Sequence, residues 1–188
     1  MSTPVVILIF LGAALVVYGV WVFNRLISLR TRADNAWSDI DVQLKRRWDL
    51  VPGLVETVKG YARHEASTLQ ETVEARGRAL EAQSVNDRSR AESDLARGTV
   101  QIIALAERYP DLKADEMFRS LHDDLVEVED ALQSARRYYN AVVRDLNTAM
   151  KVFPASLVAR GLGFAPYEFF ELDEPRQAAG PAVSLEKG

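Results

Sequence analysis

Cysteine is absent from the 188 residues, and only two histidines occur, His64 and His122. The first absence removes disulfides, thiol nucleophiles, iron–sulfur clusters and every zinc site built on thiolate. The second leaves too few imidazoles for a His-rich metal centre, and nearly none for triad chemistry. A basic excess is also missing. The chain has 23 Lys and Arg against 27 Asp and Glu, a formal net charge of −4, which argues against a general nucleic-acid binder. No Gly-rich phosphate loop, nucleophile elbow or carboxylate dyad appears, and Gly161 with Gly163 are too few for a phosphate cradle. The expectation is therefore a protein without cofactor, metal or small-molecule substrate, and not an enzyme.

Charge of either sign is lacking from Met1 to Asn24. Val5 to Phe23 is a run of 19 residues, apolar apart from two glycines and one tyrosine. As a helix it would be roughly 28 Å long, the thickness of a bilayer's hydrocarbon core. Tyr18, Trp21 and Phe23 cluster at its far end, where an aromatic belt lies. A cleaved signal peptide is the rival reading. It wants a basic leader and small residues after the apolar core, whereas here Ser2-Thr3-Pro4 precedes and Asn24-Arg25-Leu26 follows. Residues 1–24 read better as a permanent anchor. Arg25, Arg30 and Arg32 come before the first acid, Asp34. The positive-inside rule then places the N-terminus outside and residues 24–188 in the cytoplasm of a single-pass inner-membrane protein. The same arginines can meet anionic lipid.

Strand signals are missing from the rest: there is no sustained period-2 run and no Asn-Gly or Asp-Gly hairpin turn. Apolar residues instead recur at three and four, from Leu26 through Trp37, Ile40, Leu44, Trp48, Val51 and Val58 to Ala62, Ala66, Leu69 and Val73. Pro52-Gly53 interrupts the line, and the preserved phase favours a kink over a new helix. This helical stretch is expected to reach about Gln83. A turn with Asn86 or Asp87 as N-cap follows, then a helix over 87–109 that Gly98 weakens and Pro110 ends. From about Ala114 to Phe153, Phe118, Leu121, Leu125, Val128, Leu132, Ala135, Tyr139, Val142, Leu146, Ala149 and Phe153 alternate three and four, a coiled-coil spacing. One-sided helices must bury their stripes on each other, and short connections make neighbours antiparallel.

The expected fold is all-α: an N-terminal transmembrane helix continuing into an elongated antiparallel up-down bundle of three to four long helices. Its parts are an anchor over 1–24, a cytoplasmic bundle over 25–154, a short aromatic element over 155–172 and a disordered tail over 173–188.

Asn35-Ala36-Trp37-Ser38-Asp39-Ile40-Asp41-Val42-Gln43-Leu44-Lys45-Arg46-Arg47, continued by Asp49-Leu50-Val51-Pro52-Gly53-Leu54-Val55 and Val58-Lys59-Gly60-Tyr61-Ala62, closely resembles the signature of the LemA family. Further likeness lies in Tyr109-Pro110-Asp111-Leu112-Lys113-Ala114, Ala135-Arg136-Arg137-Tyr138-Tyr139-Asn140, Asn147, Phe153-Pro154 and Phe169-Phe170-Glu171. Together these cover about residues 20–172. Gly53 stands where family members usually have Asn, and Asp130-Ala131 follows Glu129 where Asn-Arg is common. The resemblance implies a membrane helix with its N-terminus outside and a cytoplasmic antiparallel helical bundle. It implies no established enzymatic activity, and magnetosome-associated relatives suggest a link with shaping internal membranes.

Two histidine motifs read as solvated helix faces. His64-Glu65 begins a zinc-protease pattern but reaches Thr68 where the second histidine belongs. His122, Asp123, Asp124 and Glu127 share a face, yet lie between the heptad residues Leu121, Leu125 and Val128. That face, acidic from Asp115 to Asp130, can receive a basic partner. Asp39, Asp41, Lys45, Arg46, Arg47 and Asp49 form a mixed cluster. It serves either pairs within the helix, Asp41 with Lys45 first, or contacts to a neighbouring helix or subunit. Trp37 and Trp48 are expected in the core. The aromatic patch Leu162, Phe164, Tyr167, Phe169, Phe170 and Leu172 packs on the bundle or meets a membrane or partner. The expected role is a membrane-anchored, non-enzymatic scaffold, self-associating or organising other membrane proteins, with membrane shaping as a further expectation. The alternative is a cytoplasmic-face adaptor or regulator of a membrane protease or signalling protein.

Overall fold

A computed structural model describes residues 3–172; the tail expected over 173–188 lies outside the described residues. Among the described residues no strand forms, and the fold is all-α. The helices are α1 (Thr3–Tyr61), α2 (Ala66–Glu81), α3 (Val85–Leu105), α4 (Pro110–Ala114), α5 (Glu116–Lys151) and α6 (Ala155–Gly161). The described chain divides into two compact units, one of residues 3–44 and 130–169, the other of 45–129 and 170–172.

In the first unit α1 begins with the apolar run, which is almost entirely exposed. From Val22 the same helix becomes one-sided: Val22, Leu26, Ala33, Ala36, Ile40 and Leu44 are buried. They share the core with Leu132, Tyr139, Val142, Val143 and Leu146 of α5 and with Ala159 of α6. Trp37, expected in the core, is half-buried and packs its ring 5.4 Å from that of Tyr139. The aromatic segment folds back. Asn147 clamps Tyr167, donating to its carbonyl and accepting from its backbone N–H, both at 2.9 Å. The Tyr139 hydroxyl donates to the Glu168 carbonyl at 2.8 Å, and Tyr167 reaches Asp34 at 2.7 Å. Phe153 closes the expected stripe but lies 76% exposed, because α5 stops at Lys151 and the chain turns.

In the second unit α1 does not run on to Gln83. It ends at Tyr61, and a 3-10 turn over Arg63–Glu65 leads into α2. Val58, Ala62 and Leu69 are all buried, so the corner keeps the apolar spacing while changing helix. Val73, read as part of that stripe, is exposed; α2 buries Leu69, Thr72, Ala75 and Ala79 instead. The N-cap of α3 is Ser84 and not Asn86 or Asp87. Its hydroxyl oxygen accepts from the Asp87 N–H at 3.0 Å and donates to the Asp87 carboxylate at 2.7 Å. α2 and α3 form a close hairpin. A Cβ on Gly98 would come within 2.6 Å of Thr72 Oγ1, so this glycine permits the approach. Asp115 caps α5 by accepting from the Phe118 N–H at 2.9 Å.

Pro52 lies inside α1 without ending it. Lacking an N–H, it orphans the carbonyl of Trp48, four residues back. Arg76 of α2 repairs the gap: its Nε donates to the Trp48 carbonyl at 2.7 Å.

Candidate functional site

The charge cluster around residue 47 is the place where chemistry and packing meet. Arg46 and Arg47 are adjacent on α1, so their side chains leave the helix about 100° apart. Arg46 is exposed and donates to Glu127 of α5 at 3.2 Å. Arg47 is 2% exposed, and its two terminal nitrogens go to different helices. One donates to Glu92 of α3 at 3.1 Å, and the other pairs with Glu129 of α5. Glu92 is fully buried, and its second oxygen accepts from the Trp48 indole N–H at 2.6 Å. The Arg88 guanidinium lies 5.9 Å from the centre of the Trp48 ring. Three helices are thus tied through one arginine, and Arg76 ties in α2 through the Trp48 backbone.

Burial pushes the Glu92 carboxyl above the usual carboxylate range, while the Arg47 guanidinium and the Trp48 N–H pull it back. A buried ion pair gains little net stability over an apolar replacement, because desolvation offsets the attraction. What it contributes is selectivity: removing one partner strands the other. At the far end of this unit, the Tyr61 hydroxyl donates to Asp115 at 2.8 Å. That bond and the carboxylate's charge hold the Tyr61 hydroxyl above its ordinary range. The Phe118 N–H and Tyr61 hydroxyl hold the Asp115 carboxyl below its own. In the first unit burial pushes the Tyr139 hydroxyl up to about 12.

Of the residues singled out from sequence, Arg46, Arg47 and Glu127 enter this network. Asp39 is exposed and Asp41 half-buried, both on the part of α1 in the first unit. Lys45 and Asp123 are exposed and Asp124 half-buried in the second. Asp123 lies 3.4 Å from the His122 ring nitrogen, and that ring stacks on Phe118. Val5, Phe23, Arg25, Arg30 and Arg32 are exposed on the first unit's part of α1, with Arg25 over the Trp21 ring at 5.6 Å. Among the described residues no three His, Asp or Glu side chains gather where they could hold a metal.

Sequence reasoning missed Glu92, Glu129, Arg76 and Arg88. The signal for Glu92 was present: it occupies the apolar line of α3, with Leu95, Thr99 and Ile102 following at three and four. An acid on such a line demands a buried cation.

Residues 36–185 match the profile of the LemA family. The chain is 26% identical over 155 residues to Protein LemA of Metamycoplasma hominis, covering 80% of this chain and 69% of that protein. It is 22% identical over 174 residues to Magnetosome protein MamQ of Magnetospirillum gryphiswaldense, covering 79% of this chain and 64% of that protein. Magnetosome protein MamQ 2 of Paramagnetospirillum magneticum is also 22% identical, over 175 residues, with 79% and 64% covered. The chain therefore spans less than two thirds of the magnetosome proteins it matches.

Proposed function

Because the chain belongs to the LemA family, we propose that it is a non-enzymatic helical scaffold held to a bilayer by one N-terminal span. One observation carries this reading. The apolar run of α1 is almost entirely exposed, yet the same helix goes on to furnish the buried stripe of the bundle. A soluble core helix would be covered by protein, so lipid is the fitting cover for this one. Arg25, Arg30 and Arg32 then lie on the inner face, the N-terminus outside and the bundle in the cytoplasm. Two magnetosome proteins among the relatives lend the membrane role further support.

Arg46, Arg47 and Glu127 are engaged within the second unit, which leaves Asp39 and Asp123 as the exposed acids best placed to face other proteins. Photocrosslinking amino acids at these two positions in living cells, read by mass spectrometry, test the role. Adducts mainly to a second copy support the scaffold. One dominant foreign membrane protein replaces it with the adaptor reading, and no adducts at all refutes both. A cysteine at Ser2 that resists a membrane-impermeant thiol reagent in intact cells would refute the orientation.

A further inference from the structure

We propose that the corner joining α5 to α6 is a second membrane contact, an apolar foot resting among the headgroups of an anionic bilayer beside the N-terminal span. The inference rests on reading Val5–Phe23 as that span. Large apolar side chains at this corner are mostly exposed: Val152, Phe153, Leu157 and Leu162 are 56%, 76%, 62% and 56% exposed. Within α6 the buried residue is Ala159, two positions from Leu157 and therefore on nearly the opposite face. The helix turns its small residue inward and its leucine outward, the reverse of what a water-facing helix does.

Height along the first unit explains the reversal. Trp37 of α1 and Tyr139 of α5 are in ring contact. Asn147, later on α5, holds the Tyr167 that reaches Asp34, earlier on α1, so the two helices run antiparallel here. Lys151, the last residue of α5, follows Tyr139 by 12 residues and Phe23 precedes Trp37 by 14, about 18 Å and 21 Å in helical rise. The exposed corner therefore lies level with the aromatic end of the apolar run.

Charge agrees. No acid occurs before Asp34, nor between Asp145 and Glu168. Arg25 and Arg30 from the first stretch and Lys151 and Arg160 from the second are all exposed. Two acid-free, basic, apolar-tipped segments meeting at one height suit the interfacial layer of a membrane carrying anionic lipid.

The absence of native cysteine allows single spin labels on the full chain. Labels would be placed at F153C and L157C, with L11C as the deep reference and Q133C as the aqueous one. The chain is reconstituted in vesicles of phosphatidylcholine and phosphatidylglycerol, and collision with oxygen is compared with collision with a water-soluble nickel chelate. The expected result is that the labels at 153 and 157 lose nickel access relative to Q133C, at a depth shallower than L11C, and that K151E with R160E restores it. Full nickel access at both positions with L11C in lipid overturns the foot while the span stands. Nickel access at L11C as well overturns both. Protection at 153 and 157 accompanied by label–label broadening assigns the patch to a second copy and also overturns it.

Discussion

Replacing Arg47 by Met removes the cation that donates to Glu92 at the centre of the second unit and leaves the buried carboxylate accepting from the Trp48 N–H. Stranding a buried charge costs about 3–5 kcal/mol. For a chain of this size each kcal/mol lowers the melting temperature by about 2–4 °C. The expected fall is therefore roughly 6–20 °C. Glu129 adds little to this, since its half-exposed carboxylate returns to water. Glu92→Gln on its own should cost less, about 1–3 kcal/mol, because Gln still accepts from Trp48 and Arg47 keeps Glu129. In the Arg47→Met background the same Glu92→Gln change should reverse sign and restore stability, because it neutralises the stranded charge. Arg46→Met, which loses only an exposed pair with Glu127, should cost under about 1 kcal/mol.

The pH dependence follows from the raised Glu92 carboxyl. Stability linked to its protonation is fully present below the unfolded-state value and is lost as pH rises through the folded-state value. The Arg47→Met deficit should therefore shrink on acidification. Denaturant unfolding of the full chain in mild detergent, followed by far-ultraviolet circular dichroism at several pH values, reads all four variants. An Arg47→Met loss below about 1 kcal/mol, or no rescue by Glu92→Gln, would refute the assignment of a buried, mutually dependent pair.

Three further outcomes are expected. Arg76→Met should cost about 1–3 kcal/mol by orphaning the Trp48 carbonyl, and far less in a Pro52→Ala background where the helix supplies its own donor; additive losses in the double-mutant cycle would contradict this. Gly98→Ala gains helix propensity worth about 1 kcal/mol, yet should still destabilise, by about 1–2 kcal/mol net of that gain, because overpacking costs about 2–3 kcal/mol where Thr72, held by its bond to the Thr68 carbonyl, cannot withdraw; Thr72→Ala should relieve the loss in thermal melts. Tyr139 should ionise near 12 in the folded chain, so its contribution is present below the ordinary tyrosine value and lost as pH rises through about 12; Tyr139→Phe should remove that step from the phenolate absorbance titration.

The helices were legible wherever one stripe persisted on one helix. The three-and-four line through Phe118 and Leu146 marks α5 to within two residues at each end, since α5 runs from Glu116 to Lys151 against an expected Ala114 to Phe153. The corner after Tyr61 was not legible, because periodicity records which residues are buried and not whether the chain has reversed. Val58, Ala62 and Leu69 are buried on both sides of the turn and keep the same beat. The α3 cap was misplaced because Ser84, Asn86 and Asp87 all cap well in isolation, and only the structure's reciprocal bonds between Ser84 and Asp87 decide. At the candidate site, Arg46, Arg47 and Glu127 were visible as charges, but their division of labour was not. Two adjacent arginines look alike in a string, and the helical turn between them puts one in water and the other in the core.

That division bears on how α1 and α5 find their register. A line of apolar residues at heptad spacing packs nearly as well after slipping by seven, so the stripe alone specifies the partner surface but not the offset. The charges do specify it. In the native pairing Arg47 meets Glu129 and Arg46 meets Glu127. Slipping α5 by one heptad either way brings Arg136 or His122 opposite Arg47, and Ser134 or Ser120 opposite Arg46. Each slipped state loses both pairs and sets a buried arginine against a second basic group or an imidazole, which costs several kcal/mol that apolar packing does not recover. Gly53 touches Leu121 in the native register, its Cβ position 3.4 Å from a leucine methyl. A chain carrying G53C and L121C should therefore crosslink readily, whereas G53C with V128C, the α5 position one heptad on, should not. Replacing Arg46, Arg47 and Glu92 together by Met, Met and Gln should keep the helicity while letting G53C and V128C crosslink. Continued selectivity for the native pair in that background would show that side-chain shape, and not the buried charge, sets the register.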